Sequence, residues 1–127
     1  NFALLNQQGE IFFMKVDRLE FGSITIDRKV YEEDVVIDNG VIRKRKKSKS
    51  KKYRDKFGHT PLSADEKIPW KCRHLIVGTG HSSSLPVMEE VFKKARKKGV
   101  ELHLMATPEA IKHINDPDTN LILHLTC

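Results

Sequence analysis

A chain of 127 residues fits one domain, and at that length folding buries roughly two-thirds of the unfolded surface, so a single core suffices without disulfide staples. Its two cysteines, Cys72 and Cys127, form neither a C-x-x-C pair nor a His-spaced ligand pattern, which excludes a disulfide framework and points to a reduced, cytoplasmic protein. No apolar stretch approaches the ~20 residues of a membrane span and no basic-then-apolar segment opens the chain, so no membrane association is expected.

Residues 1–13 differ in texture from the rest of the chain, and Met14 reads as a native start. They are expected to form an extension outside a domain of residues 14–127, with Glu10 to Phe13 alternatively lengthening the first strand. From Lys15 to Asp38 apolar and polar residues alternate: Val16, Leu19 and Phe21, then Ile24 and Ile26 among Ser23, Thr25 and Asp27, then Val30 and Tyr31. Val35 to Ile37 is a short apolar run. Asp27-Arg28 and Asn39-Gly40 mark turns, the second being the better hairpin signal because both residues tolerate positive φ. This half predicts an antiparallel meander.

The net charge of +6 belongs to one segment. Between Arg43 and Lys56 ten Lys or Arg residues face the single acid Asp55, a local balance of +9 that leaves −3 for the rest. Residues 43 to 69 offer few core candidates beyond Tyr53, Phe57, Leu62 and Ile68, and predict an exposed connection with a short helical turn from Ser63. Trp70 anchors the return to the core.

Leu75 to Val77 predicts a buried strand, followed by a glycine-serine turn and a helix from a capping Ser84 to Lys98. Val87, Met88, Val91, Phe92 and Ala95 recur at helical spacing, Glu89 and Glu90 lie early, and Lys93 to Lys98 lie late, matching the helix dipole. Gly99 stops it. Val100 to Met105 predicts the next strand, Thr107-Pro108-Glu109 a capped helix ending near Asn115, and Leu121 to Leu125 the last strand. The order is strands, a basic connection, then β-α-β-α-β. It predicts an α/β single domain of three layers, a central mixed sheet flanked by helices with an N-terminal antiparallel meander.

Several segments together carry a resemblance: F-G-S-I-T-I-D at 21–27, Y-E-E-D-V-V-I at 31–37, L-I-V-G-T-G at 75–80, A-T-P-E-A-I at 106–111 and the terminal H-L-T-C at 124–127. Their order and spacing, over about Met14 to Cys127, resemble the small adipogenesis-associated MTH-domain family. The resemblance implies a three-layer α/β fold with no firmly assigned enzymatic activity. It also implies membership of a group with one mitochondrial branch that assists assembly of respiratory complex I and a vertebrate branch linked to adipocyte differentiation. That family often carries G-T-S-H after its basic segment, where this chain has Gly58-His59-Thr60-Pro61.

Two segments are candidate sites. Gly78, Thr79, Gly80, His81, Ser82, Ser83 and Ser84 form a donor-rich turn before a helix, suited to a phosphate, sulfate or carboxylate. The G-T-G is weaker than a dinucleotide fingerprint, and the structural alternative is a tight turn with a capping serine. Arg45, Lys46, Lys47 and Lys49 of the basic run could meet nucleic-acid phosphates, with Tyr53 and Phe57 as a thin stacking platform; the alternative is a solvated loop. His74, His103 and His124 lie on or beside predicted strands where they could converge, although alternate strand positions are ordinary sheet faces. Three-residue spacing places His124 and Cys127 on opposite faces of an ideal strand. No catalytic residue, metal or cofactor is expected.

The leading expectation is therefore a non-catalytic protein-interaction or assembly module with a protein partner. A small-anion binding protein or enzyme using residues 78–84 and a nucleic-acid binder using residues 43–56 are the alternatives. Exposed antiparallel edges also make a homo-oligomer conceivable.

Overall fold

Three apolar triplets, Val35-Val36-Ile37, Leu75-Ile76-Val77 and Leu121-Ile122-Leu123, are buried at every position. Strand side chains alternate in direction, so this pattern requires cover on both faces of a sheet. In the computed structural model, which describes residues 4–5 and 11–127, the triplets lie on adjacent strands. These are β6 (Val35–Asp38), β8 (His74–Gly78) and β10 (Thr119–Leu123). With β7 (Val41–Lys44) and β9 (Glu101–Met105) they form a five-stranded sheet in the order β7-β6-β10-β8-β9. The pairs β8–β9 and β8–β10 are parallel, while β10–β6 and β6–β7 are antiparallel. The sheet is mixed, as expected.

Val35, Ile37, Ile76, Leu121 and Leu123 face one layer, packed with Ile24, Ile26, Ala110 and Ile114. That layer is a meander of β3 (Val16–Glu20), β4 (Ser23–Ile26) and β5 (Lys29–Tyr31), beside the short helix α3 (Thr107–Ala110) and its 3-10 continuation Ile111–His113. Val36, Leu75, Val77 and Ile122 face the other layer, where helix α2 (Glu89–Lys98) contributes Val91 and Ala95, and Leu62, Ile68 and Leu85 come from connections. Each fully buried Val, Leu or Ile is worth about 1.5–3 kcal/mol over exposure, so both layers are held chiefly by the sheet. Among the described residues, no helix is long and apolar enough to cross a membrane.

Local chemistry sets the turns. Asn39 and Gly40 have φ of 49° and 80°, Asp27 and Arg28 have 49° and 67°, and each pair closes a two-residue hairpin. At the second, the Asp27 carboxylate accepts the Lys15 amide at 3.0 Å and Asp17 accepts the Arg28 amide at 2.7 Å. These bonds hold Arg28 in a left-handed conformation that its Cβ disfavours.

Three expectations are corrected and one is supplemented. The second-half helix starts at Glu89 rather than after Ser84. Pro86 disfavours helical backbone at Leu85, and the Pro86 carbonyl and Met88 amide are instead bonded to Leu62 at 2.8 and 3.0 Å. The expected short turn from Ser63 is present, closed by the Glu66 amide on the Ser63 carbonyl at 3.3 Å, but the helical part of residues 43–69 lies in the basic run, as a 3-10 stretch Ser48–Tyr53 and α1 (Arg54–Phe57). That connection is not exposed throughout, since Ser50, Leu62, Ser63, Glu66 and Ile68 are buried. Thr107 does not cap α3: its hydroxyl turns inward, accepting the Gly80 amide at 2.9 Å and donating to the His124 carbonyl at 2.6 Å.

Most of residues 1–13 lies outside the described residues. Leu4–Leu5 (β1) and Ile11–Phe12 (β2) pair with each other, so the latter do not lengthen β3. Met14 is buried, with backbone bonds in both directions to the Asn115 amide group at 2.8 Å.

Candidate functional site

The basic run leaves the sheet at Lys44, and its next residue turns inward. Arg45 is 3% exposed. Its guanidinium meets Glu66 through two bonds of 2.8 Å, Asp34 at 2.9 Å and the Pro61 carbonyl at 3.0 Å. Burial opposes the charge, but Glu66 and then Asp34 outweigh it and raise the Arg45 pKa above its ordinary value. Ser50 adds a hydroxyl bond of 2.5 Å to Glu66 and one of 2.6 Å to Ser63. The network ties the basic run to the 62–68 segment. Arg45, expected to meet nucleic acid, is thus committed to internal carboxylates.

Asp34 carries the network to the C-terminal residues. Its carboxylate meets the His124 Nδ1 at 2.7 Å and accepts the Leu125 amide at 2.9 Å, besides Arg45. Burial alone would raise its pKa, yet the bond and charge of His124, the Leu125 amide and Arg45 together lower it to about 2. An ionised Asp34 has no proton to give, so the His124 Nδ1 donates. That fixes the ring, and in its neutral form leaves Nε2 as the acceptor facing the Thr126 hydroxyl at 3.2 Å. A carboxylate, an oriented imidazole and a hydroxyl stand in line, the order in which a general base is held against a proton donor.

The 78–84 turn is built around the chain's own residues. A Cβ on Gly78 would lie 2.9 Å from the Thr107 Oγ1 and 3.1 Å from the Ala110 Cβ, so this glycine admits α3 against β8. Gly80, at φ 105°, passes so close to the Cys127 carbonyl that a Cβ would overlap it. The His81 amide donates to the Thr126 carbonyl at 2.8 Å, and the Ser82 and Ser84 amides both donate to the Cys127 carbonyl at 3.0 Å. The donors expected to receive an anion at a helix terminus are thereby occupied, and no helix starts there. Thr79 is buried and bonded to Met105. His81 faces the meander, its ring 5.8 Å from that of Phe21 and its Nε2 3.2 Å from the Glu20 carbonyl. Ser82 and Ser83 are exposed.

Ser84 has a different neighbourhood. It borders a cleft of about 390 Å³ together with Lys47, Lys51, Arg54, His59, His124 and Cys127. One residue of the predicted turn and four cations of the basic run therefore share a cavity, Lys47, Lys51 and Arg54 together with the internally paired Arg45. Lys47 precedes the 3-10 stretch, Lys51 lies within it and Arg54 opens α1, and all three line the cleft. No Asp or Glu lines the cleft, and among the described residues none of these three cations is in an ion pair. Lys46 borders a neighbouring cleft of about 370 Å³, which Lys47 and Lys51 also border and which Glu32, Glu33 and Asp34 line as well, and Lys49 borders neither. Tyr53 is half-buried, with its hydroxyl bonded to Asp65 at 2.8 Å and the Lys52 Nζ 5.2 Å from its ring centroid.

Lys51 and Arg54 do not stand out among the ten cations of the run, and no periodicity marks them, because residues 48–53 form a 3-10 stretch and the α-helix begins only at Arg54. His124 and Cys127 both border the cleft, but the His124 ring nitrogens are engaged by Asp34 and Thr126. Of the three strand histidines, His74 and His103 meet, with ring nitrogens 3.1 Å apart, and His124 lies with Asp34 instead. Cys72 is half-buried, and burial pushes its thiol pKa up.

The same architecture occurs in other proteins. A conserved hypothetical protein of Pyrococcus horikoshii OT3, PH1505, superposes with a TM-score of 0.72 at 27% identity, over 90% of this chain and 100% of that one. The protein MT938 gives 0.68 at 23% identity, over 91% and 100%. A Mth938-like domain protein of Bordetella pertussis gives 0.54 at 13%, over 88% and 85%. Among curated proteins no match is found. The family model described as "Protein of unknown function (DUF498/DUF598)" matches residues 16–116, a span running from the meander through the basic run to the end of the α3 segment. With that span matched and the Mth938-like fold shared, the chain belongs to the DUF498/DUF598 family of Mth938-like domains.

Proposed function

We propose that the chain binds a small anionic ligand, bearing a phosphate or carboxylate group, in the cleft between the basic run and its C-terminal residues. One observation carries this reading: Lys47, Lys51 and Arg54 line a cleft of about 390 Å³ that contains no acidic side chain. Arg45 is bonded to Asp34 and Glu66, Lys44 to Glu33 and Lys52 to Asp65. Three unneutralised cations on one concave wall favour an anion that supplies the missing charge. Thr60 adds a hydroxyl to the lining, and His124, held between Asp34 and Thr126, borders the same space.

Calorimetric titration of tag-free protein with inorganic phosphate and pyrophosphate tests the reading. Each charge-assisted hydrogen bond is worth about 1.5–3 kcal/mol, so Lys51→Ala with Arg54→Ala is expected to weaken binding by at least about 100-fold while leaving the fold intact. Unchanged affinity in that variant, or no saturable binding to the native chain, refutes it. A single-stranded oligonucleotide that binds with a steep salt dependence while both small anions fail would transfer the basic run to nucleic-acid recognition.

A second reading, the protein-interaction or assembly module, is favoured by apolar side chains that the meander leaves in solvent. Phe13, Phe21 and Val30 are 50%, 65% and 58% exposed. Sedimentation over a concentration series tests its simplest form, self-association, which a single monomer mass throughout would remove.

A further inference from the structure

We propose that His74, Glu101 and His103 form a binding site for one divalent transition-metal ion of the zinc class at the β8–β9 edge of the sheet. The register places the three together. His74 pairs with Glu101 and Ile76 with His103, and strand periodicity sends residues 74, 101 and 103 to one face. β9 is the outermost strand of the sheet, so this group sits at its rim.

The His74 Nδ1 is 3.0 Å from the Glu101 Oε2 and 3.1 Å from the His103 Nε2, and the ligand atoms of all three lie within 4.8 Å of one another. Tetrahedral coordination with bonds of about 2.0–2.1 Å separates neighbouring ligand atoms by about 3.3 Å. Two edges of the polyhedron are therefore already close to that length. The third is set by Glu101, whose side chain is 59% exposed and can rotate.

The hydrogen bonding points the same way. An ionised Glu101 can only accept, so a neutral His74 donates from Nδ1 toward Glu101 and His103, and the lone pair of the His103 Nε2 faces that same proton. Two lone-pair atoms, on Glu101 and His103, thus share the one hydrogen of the His74 Nδ1. Among the described residues neither Glu101 nor His103 has another side-chain partner. When an ion takes Nδ1, the His74 proton passes through solvent to Nε2, so no net bond is made or lost in the ring. Two imidazoles and one carboxylate favour zinc, cobalt, nickel or copper over magnesium or calcium, which require oxygen donors. His74 is 33% exposed, which leaves room for water on the remaining positions.

Titration of tag-free, chelator-stripped protein with Co²⁺ and then Zn²⁺, followed by visible absorption and calorimetry, tests the site. One ion per chain is expected, with Zn²⁺ displacing Co²⁺ and equal Mg²⁺ displacing neither. His103→Ala and Glu101→Gln should each weaken binding more than about tenfold, since loss of a direct ligand exceeds the 10- to 100-fold cost of losing an outer partner. In the native chain, Co²⁺ should broaden the imidazole NMR signals of His74 and His103 before those of His59, His81, His113 or His124. This readout needs no variant to fold. Absence of saturable binding, affinity in both variants equal to that of the native chain, or first broadening at another histidine overturns the proposal.

Discussion

Arg45→Met makes the buried ionic network measurable. Methionine fills a comparable apolar path but removes the four guanidinium contacts to Glu66, Asp34 and Pro61. Glu66 and Asp34, both 8% exposed, are then left as buried carboxylates without their cation. Removing one partner from such a pair costs about 3–5 kcal/mol, because the remaining charge has lost both its water and its counter-charge. A domain stability of about 5–15 kcal/mol makes that a large fraction of the total. The melting temperature should fall by about 10–20 °C. Urea unfolding followed by circular dichroism gives the free energy directly, with Lys49→Met as control. Lys49 is an exposed cation of the same run, and its loss should stay within about 0.5 kcal/mol. Equal midpoints for the two variants would refute the reasoning, since Arg45 would then be energetically one more surface cation. Retained stability in Arg45→Met with lost polyanion binding would return it to the role its sequence neighbourhood suggests.

Two further outcomes concern neighbouring residues. Asp34 titrates at about 2 in the folded chain against an ordinary 3.8, so its depressed pKa contributes stability that is complete above about pH 4 and is lost as pH falls toward 2. The difference is about 2 kcal/mol, and Asp34→Asn should flatten the acid limb of a stability–pH curve by that amount. An unchanged limb would show that Asp34 is not held by its partners. Gly80→Ala puts a Cβ into the Cys127 carbonyl at a φ of 105°, and should cost about 1–3 kcal/mol and raise hydrogen exchange at the His81, Ser82 and Ser84 amides. Native exchange rates there would place the C-terminal residues elsewhere.

Sequence reasoning succeeded where a signal is local. The triplets at 35–37, 75–77 and 121–123 require cover on both faces wherever they lie, and Asn39-Gly40 needs no distant partner to turn. Residues 89–98 carry their own dipole-matched charges, and only the start of that helix was misplaced. Pro86 was the available signal, because the residue before a proline avoids helical backbone. The site was harder to read for the complementary reason. Arg45 is one of ten similar cations, and what sets it apart is Asp34 and Glu66, 11 and 21 residues away. Gly80 resembles a ligand-binding glycine, yet the group that approaches it is the backbone of residue 127.

These long-range contacts also bring parts of the two predicted segments to one cleft. The 78–84 amides hold the Thr126 and Cys127 carbonyls, which secures the C-terminal residues beside β8. Asp34 then anchors His124 and Leu125 from β6, and its bond to Arg45 draws the start of the basic run to the same place. From that buried anchor the chain re-emerges as a 3-10 stretch, whose exposed side carries Lys47 and Lys51 toward Ser84. The turn's donors are thus consumed in building a wall of the cleft, and the basic run supplies its charge. A cleft whose walls and cations come from segments this far apart in the chain leaves no compact motif for a sequence pattern to detect.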